Sequence, residues 1–145
     1  MKFLFFFSIL VTFNILSLEG KKTARQKLKS CCAFFKDADK FCMKEYCDFN
    51  FYSRERIIQV VRDCKDKGKT LEQLWTCAAN KHDHTKCCAK SGVPSICHPY
   101  CTANKGPPRS GAAELLCLGF MDQIRKCFRV HLEHHEIFTS QDKDN

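Results

Sequence analysis

Twelve cysteines are the residues of this 145-residue chain with the clearest capacity for chemistry. Disulfide bonds and metal thiolates are the two chemistries that compete for them. Zinc sites favour pairs such as C-x2-C, whereas these cysteines occur as adjacent pairs, as C-x4-C and as C-x3-C. We therefore predict that all twelve form disulfide bonds: Cys31, Cys32, Cys42, Cys47, Cys64, Cys77, Cys87, Cys88, Cys97, Cys101, Cys117 and Cys127.

The cysteines form two copies of one six-cysteine pattern. After Cys31-Cys32 the gaps are nine, four, sixteen and twelve residues, and after Cys87-Cys88 they are eight, three, fifteen and nine. Repetition of this kind indicates a duplicated structural unit. Since each copy has an even number of cysteines, we predict three bridges within residues 31–77 and three within 87–127, with matching connectivity. The pairing inside each half stays open, as does the exchange of one pair between the halves.

A His-Asp pair, His82-Asp83, lies close to the adjacent cysteines Cys87-Cys88. Such a pair is similar to the one in secreted phospholipases A2. In that family, however, the cysteines come before the His-Asp pair, and a glycine-rich calcium loop lies upstream. This chain has the reverse order and no such loop. A phospholipase A2-like enzyme is therefore the least favoured alternative, and we predict no catalytic residues.

Histidines offer a second possible chemistry, metal binding. His82 and His84 need further ligands, which His131, His134 or His135 supply only if the fold brings the two regions together. His131 and His135 are four residues apart, a workable spacing for a metal pair on a helix. Unrelated surface histidines are the simpler interpretation, so we predict no metal site and no cofactor.

Residues 1–20 have the features of a secretory signal peptide. Lys2 gives a positive start, an apolar stretch follows, and Ser17 and Gly20 offer cleavage points. The apolar stretch is shorter than the ~20 residues that span a bilayer, which disfavours a signal anchor. We predict cleavage, a secreted extracellular protein without a transmembrane helix after cleavage, and an oxidising compartment that preserves disulfides.

The chain is basic, with a formal net charge of +8. Residues 21–30 form a basic arm, which is either a solvated tail or the start of a first helix. A functional interpretation is attraction to anionic glycans or lipid head groups. In a secreted protein the charge alone does not imply nucleic acid, and we predict no nucleic-acid partner.

No segment alternates like a strand, so we predict an all-α, small disulfide-rich helical domain. It covers residues 31–130 and consists of half-repeats 31–80 and 87–128, followed by a polar tail, 131–145, that frays from Glu133. A helix capped by Ser53 should reach Asp66, and its apolar face should contain Ile57, Val60, Val61 and Cys64. Gly68 should then adopt a left-handed turn.

The next helices are also predicted from local patterns. Thr70 and Gln73 form a capping-box signal. A helical pattern runs from residue 111 to about residue 132, and Gly119 divides it in two. The predicted core comprises Leu71, Leu74, Trp75 and Ala78, then Leu116, Cys117, Phe120, Met121, Ile124 and Phe128, with the aromatics Phe34, Phe35, Phe41 and Tyr46.

One stretch resembles a known family. Residues 77–88 read CAANKHDHTKCC, residues 92–94 read GVP, and residues 97–101 read CHPYC. In this order these motifs are similar to the nematode DB module, and the resemblance covers about Cys31 to Phe128. It implies a cysteine-rich secreted or ectodomain module with no established catalytic activity, and it brings no site residues. Because no further domain follows, this copy is expected to stand alone.

We therefore predict a secreted, disulfide-stabilised interaction module without enzymatic activity. Its partner is an extracellular protein, glycan or lipid that the sequence does not identify. The main alternative is a lipid-binding or membrane-active helical protein of saposin-like character, favoured by the amphipathic helices and the basic arm.

Overall fold

Helices carry both cysteine patterns. The structure is a computed structural model that describes residues 20–102 and 113–138, with the side chains of residues 113 and 114 excepted. No residue in those ranges forms a strand, which confirms the all-α prediction. The helices are α1 (Ala24–Phe34), α2 (Lys40–Tyr46), α3 (Ile57–Cys64), α4 (Thr70–Ala79), α5 (Thr85–Lys90), α6 (Pro99–Thr102), α7 (Ala113–Leu118) and α8 (Met121–His134), with 3-10 helices at Phe49–Tyr52 and Ser95–Cys97.

Six disulfide bonds join these helices, and none crosses between the halves. In each half the first cysteine bonds the sixth, the second bonds the fourth and the third bonds the fifth. This is the matching closure that the even cysteine counts predict, and no adjacent cysteines bond each other. The bridges are Cys31–Cys77, Cys32–Cys47 and Cys42–Cys64, then Cys87–Cys127, Cys88–Cys101 and Cys97–Cys117.

The halves meet without a covalent bond, at helix α8. This helix packs against α1, α4 and the Phe49–Tyr52 turn of the first half, and against α5 of its own half. Trp75 on α4 lies at the centre, 1% exposed. Its ring is 5.7 Å from Tyr52, 5.8 Å from Phe128 and 6.3 Å from Tyr100, centroid to centroid. Aromatic rings contributed by both halves therefore form one continuous core.

Near its start, the described chain forms a helix rather than a solvated arm. Thr23 and Gln26 form a reciprocal capping box at the N-terminus of α1. One turn later, Lys27 is fully buried. Its ammonium donates to the Leu132 carbonyl at 3.0 Å and to the His135 carbonyl at 2.8 Å. Of the two interpretations of residues 21–30, the structure supports the helical one from Ala24 onward.

The end of the described chain is docked, contrary to the predicted fraying from Glu133. Helix α8 continues to His134. Beyond it, the Asn80 side chain donates to the Glu136 carbonyl at 2.9 Å and accepts from the Phe138 amide at 2.9 Å. The Lys81 ammonium lies 4.3 Å from the centroid of the Phe138 ring. Residues 139–145 of the predicted tail lie outside the described residues.

Two helix starts differ from the local sequence signals. Ser53 lies in a bend after the Phe49–Tyr52 turn, and α3 begins only at Ile57. At α4 the predicted capping box is wrong, because its side chains bond elsewhere. The Thr70 hydroxyl accepts from the Asp39 amide at 2.9 Å, and Gln73 donates to the Asp37 carboxylate at 3.1 Å. A tertiary partner has replaced the local cap.

Most of the predicted core is buried, Phe35 and Phe120 are partly buried, and three side chains are exposed. Leu74, Ile124 and Phe128 have no exposed surface, and Gly119 separates α7 from α8 as expected. Phe34, Phe41 and Leu116, by contrast, are 40%, 59% and 52% exposed. Each lies within two residues of a bridged cysteine, so membership of a cysteine-rich segment does not bury a side chain.

The remaining predictions about chain ends concern residues that are not described. The predicted signal peptide lies almost wholly in residues 1–19, outside the described residues. Within the described ranges, no helix combines the length and the apolar character needed to cross a membrane.

Candidate functional site

The connection between the halves is a tight, hydrogen-bonded turn. After α4, Asn80 and Lys81 both take positive φ values of 53°, and the His82 amide donates to the Ala79 carbonyl at 3.0 Å. The His84 amide then donates to the Cys101 carbonyl at 3.0 Å. These bonds place His82 and His84 against the C-terminal turn of α8.

Three histidines meet at this turn. His131 on α8 stacks on His82, with ring centroids 4.2 Å apart and an angle of 14° between the planes. His84 meets both rings edge-on, at 4.9 Å from His82 and 5.1 Å from His131. The three side chains offer nitrogen atoms that all lie within 4.8 Å of one another. We call His82, His84 and His131 the histidine cluster.

Two hydrogen bonds to backbone carbonyls orient rings at this site. His84 places Nε2 at 2.8 Å from the Ala79 carbonyl. Because a carbonyl only accepts, Nε2 carries the proton and Nδ1 holds the free lone pair. His135 stacks on His131 at 4.0 Å, and its Nδ1 lies 2.9 Å from the His131 carbonyl. His135 therefore extends the stack by one ring.

Burial and crowding favour the neutral imidazoles. His84 is 3% exposed, and burial lowers the pKa of its ring. Burial, followed by the neighbouring His82, His135 and His84, lowers the pKa of His131 to about 4. A buried cation beside other imidazoles is disfavoured by both desolvation and like charge. At neutral pH, His84 and His131 therefore keep their lone pairs available.

Asp83 is engaged away from the cluster. Its carboxylate accepts from the Thr85 amide at 2.8 Å and from the Thr85 hydroxyl at 2.6 Å. These bonds hold the pKa of Asp83 below its usual range. Asp83 thus serves the start of α5, and among the described residues no carboxylate hydrogen-bonds a ring of the cluster. The arrangement brings ring nitrogens of three imidazoles together.

The interpretation of these histidines as unrelated surface residues is wrong for His84 and His131. The fold brings together two regions that are 47 residues apart, counted from His84 to His131. His134 is exposed and is not part of the cluster, while His98 bonds the Val93 carbonyl at 3.1 Å elsewhere in the second half. The i, i+4 spacing of His131 and His135 was the available signal, but sequence alone could not show that the turn at residue 82 packs beside it.

A charged groove lies between the start of α1 and the exposed side of α8. Two adjoining hollows of about 480 and 400 Å³ share Phe49, Asn50 and Arg129. Three of the cations that line them form ion pairs, Arg25–Asp48 at 2.7 Å, Arg125–Asp122 at 2.8 Å and Arg129–Glu133 at 3.4 Å. Lys22 and Lys126 also line the groove and form no ion pair among the described residues. We call this surface the basic groove.

A smaller apolar surface adjoins the Cys97–Cys117 bridge. Ile96, Leu115 and Leu116 are 56%, 79% and 52% exposed. The first precedes one bridged cysteine and the other two precede its partner. Their helices pack together, so the three apolar side chains lie on the same part of the second half.

Comparison with known proteins identifies the family. The family model of the DB module matches residues 31–128, the whole span of the two cysteine patterns. No curated protein and no solved structure matches the chain. The match covers about two-thirds of the sequence, and the chain belongs to the DB module family.

Proposed function

We propose that this DB module is a secreted, non-catalytic interaction module that binds an anionic extracellular partner through the basic groove. The observation that carries the proposal is the groove itself, in which cationic side chains from α1 and α8 face one opening on a disulfide-stapled scaffold. The family and the six bridges fit an extracellular, cysteine-rich domain. The partner class follows from the charge of the groove and of the whole chain.

The walls of the groove are held rigidly. Helix α1 is tied by Cys31–Cys77 and Cys32–Cys47, and α8 is tied by Cys87–Cys127. Lys27 joins the two helices through its bonds to the carbonyls at the end of α8. A preformed surface loses little conformational entropy when it binds, which favours a recognition role for this groove.

The charge of the groove favours an anion. Lys22, Arg25, Arg125, Lys126 and Arg129 stand against only Asp48, Asp122 and Glu133. Two lysines therefore remain without an internal counter-charge. A surface with an excess of one sign accelerates encounter with a partner of the other sign, and salt weakens the attraction.

The test is binding to a sulfated glycan, with heparin as the probe, on the full disulfide-bonded chain. The variant Lys22→Gln/Lys126→Gln should elute from a heparin column at clearly lower salt than the wild-type chain. The matched control, Lys65→Gln/Lys69→Gln, removes the same charge from exposed positions outside the groove. Equal elution shifts for the two variants would show that net charge, and not the groove, governs binding.

Support for a non-catalytic role comes from the side chains that resemble a lipase dyad. In the His82-Asp83 pair, the Asp83 carboxylate is bound to Thr85, and among the described residues no hydrogen bond joins it to His82. Incubation with phospholipid micelles and calcium should release no fatty acid. Release that is lost in His82→Gln would overturn the non-catalytic proposal.

Lipid binding is a second candidate, favoured by the exposed Ile96, Leu115 and Leu116. A vesicle-binding protein inserts such side chains at the membrane interface. Co-sedimentation with anionic vesicles should then persist at high salt in the wild-type chain and fall in Leu115→Ser/Leu116→Ser. Sedimentation that salt abolishes, with no effect of the leucine substitutions, would assign the interaction to the basic groove.

A further inference from the structure

We propose that the histidine cluster binds one divalent transition-metal cation of the zinc and copper class, with His82, His84 and His131 as ligands. The proposal is independent of the basic groove, because none of the three histidines lines that groove. A cation bound by the histidine cluster would link the connection between the two halves, which carries His82 and His84, to α8, which carries His131.

Ligand geometry is the first argument. Three imidazole nitrogens already lie within 4.8 Å of one another. Zinc–nitrogen bonds of about 2.0–2.1 Å in a tetrahedron place ligand nitrogens about 3.3 Å apart. Each pair therefore has at most about 1.5 Å to close, and the exposed ring of His82 is free to make most of that movement because it lies outside any helix.

Orientation of the buried ligand is the second argument. His84 donates from Nε2 to the Ala79 carbonyl at 2.8 Å, which leaves the Nδ1 lone pair for a metal. Metal-ligating histidines usually donate their other ring N–H to a backbone carbonyl or carboxylate, because that bond fixes the tautomer and the ring plane. His84 is thus buried, oriented and in the tautomer that a metal requires.

The type of ligand sets the class of metal. Imidazole suits zinc, copper and nickel, whereas calcium and magnesium need oxygen ligands. All twelve cysteines are in disulfide bonds, so thiolates do not compete for the ion. Three protein ligands leave a fourth position for water or for a partner's side chain.

The binding test uses untagged, disulfide-bonded protein and isothermal titration with Zn²⁺. We expect saturation at one ion per chain, and no comparable heat with Ca²⁺ or Mg²⁺. His82→Gln and His131→Gln should each weaken zinc binding by at least about tenfold. His134→Gln should change it little, because His134 lies on the same helix as His131 but points into solvent.

A second measurement keeps the proposal falsifiable if His131→Gln folds poorly. In the wild-type chain, zinc should shift the ¹⁵N resonance of His84 Nδ1, while Nε2 keeps its proton. A zinc-induced shift at Nε2 instead would contradict the proposed ligand set. So would the absence of saturable binding, or equal weakening by His82→Gln and His134→Gln, which would indicate scattered surface histidines.

Discussion

Replacement of Lys27 by methionine tests how the first helix is joined to the last. Lys27 is fully buried, and its ammonium bonds two carbonyls at the C-terminal end of α8. The Lys27 ammonium also lies 3.5 Å from the Glu136 carboxylate, but the Glu136 side chain is 80% exposed. Because an exposed ion pair contributes little to stability, the two carbonyls account for most of the stabilisation. A cation at a helix C-terminus also interacts favourably with the helix dipole.

The expected loss follows from these contacts. Hydrogen bonds to a charged group contribute about 1.5–3 kcal/mol each, and their loss leaves one buried and one partly buried carbonyl without this donor. Methionine keeps the apolar volume, which offsets part of the loss. We therefore expect Lys27→Met to lower the free energy of unfolding by about 3–5 kcal/mol, a large part of the ~5–15 kcal/mol typical of folded proteins.

Urea unfolding with the bridges intact measures this change, with the emission of the single tryptophan, Trp75, as the signal. At a slope of about 2 kcal/mol per molar, the midpoint should fall by roughly 2 M. Lys29→Met is the matched control, since Lys29 is exposed on the same helix and should change stability by less than about 0.5 kcal/mol. Similar midpoints for the two variants would show that water or rearranged donors satisfy the α8 carbonyls, and the tie between α1 and α8 would be refuted.

Three further predictions concern the core, the pH dependence and the connection between halves. Phe128→Ala should cost about 3–5 kcal/mol in urea unfolding because it removes a ring packed on Trp75, and the partly exposed Val130→Ala should cost far less; equal losses would contradict a shared aromatic core. The Asp63 carboxylate accepts from Arg62 and from Tyr46, and these bonds lower its pKa, so its stabilising effect is present above the unfolded-state pKa of about 3.9 and is lost as the pH falls through the lower folded-state value. The stability difference between the wild-type chain and Tyr46→Phe should thus shrink in acid, and a constant difference across that titration would count against the interpretation. Cleavage at a protease site inserted after Lys81 should give fragments that stay associated in buffer and part in denaturant without reductant, whereas fragments that need reductant would reveal a bridge between the halves.

The sequence was most informative where the constraint is local or covalent. Cysteine order predicted two self-contained halves because thiol pairing is limited by chain connectivity, and the apolar period around Ile57 and Val60 predicted a buried helical face. Local rules failed where a distant group supplied a better partner. Thr70 and Gln73 bond the segment at Asp37 and Asp39. The capping-box signal considers only residues 70–73, so it cannot include a partner that lies about 30 residues earlier in the chain.

The candidate site was predictable only in part for the same reason. The ring of His82 meets that of His131 because the turn at Asn80 and the end of α8 pack together, and the bonds from Asn80 to Glu136 and Phe138 hold that packing. Lys27 reaches the same end of α8 from a position 105 residues earlier than Leu132. Such contacts depend on how the two halves dock, and the cysteine pattern says nothing about docking when no bridge crosses the interface.

The disulfide bonds constrain the inside of each half, whereas the interface at α8 sets how the two halves are oriented. Three bridges constrain each half internally, and none crosses the interface, so the orientation of one half against the other depends on non-covalent contacts around α8. Those contacts include the rings around Trp75, the ammonium of Lys27 and the segment around the histidine cluster. The first two lie in the interior. The cluster lies at the surface of the same interface, so a cation bound there would stabilise the docked arrangement by mass action without altering either disulfide-bonded half.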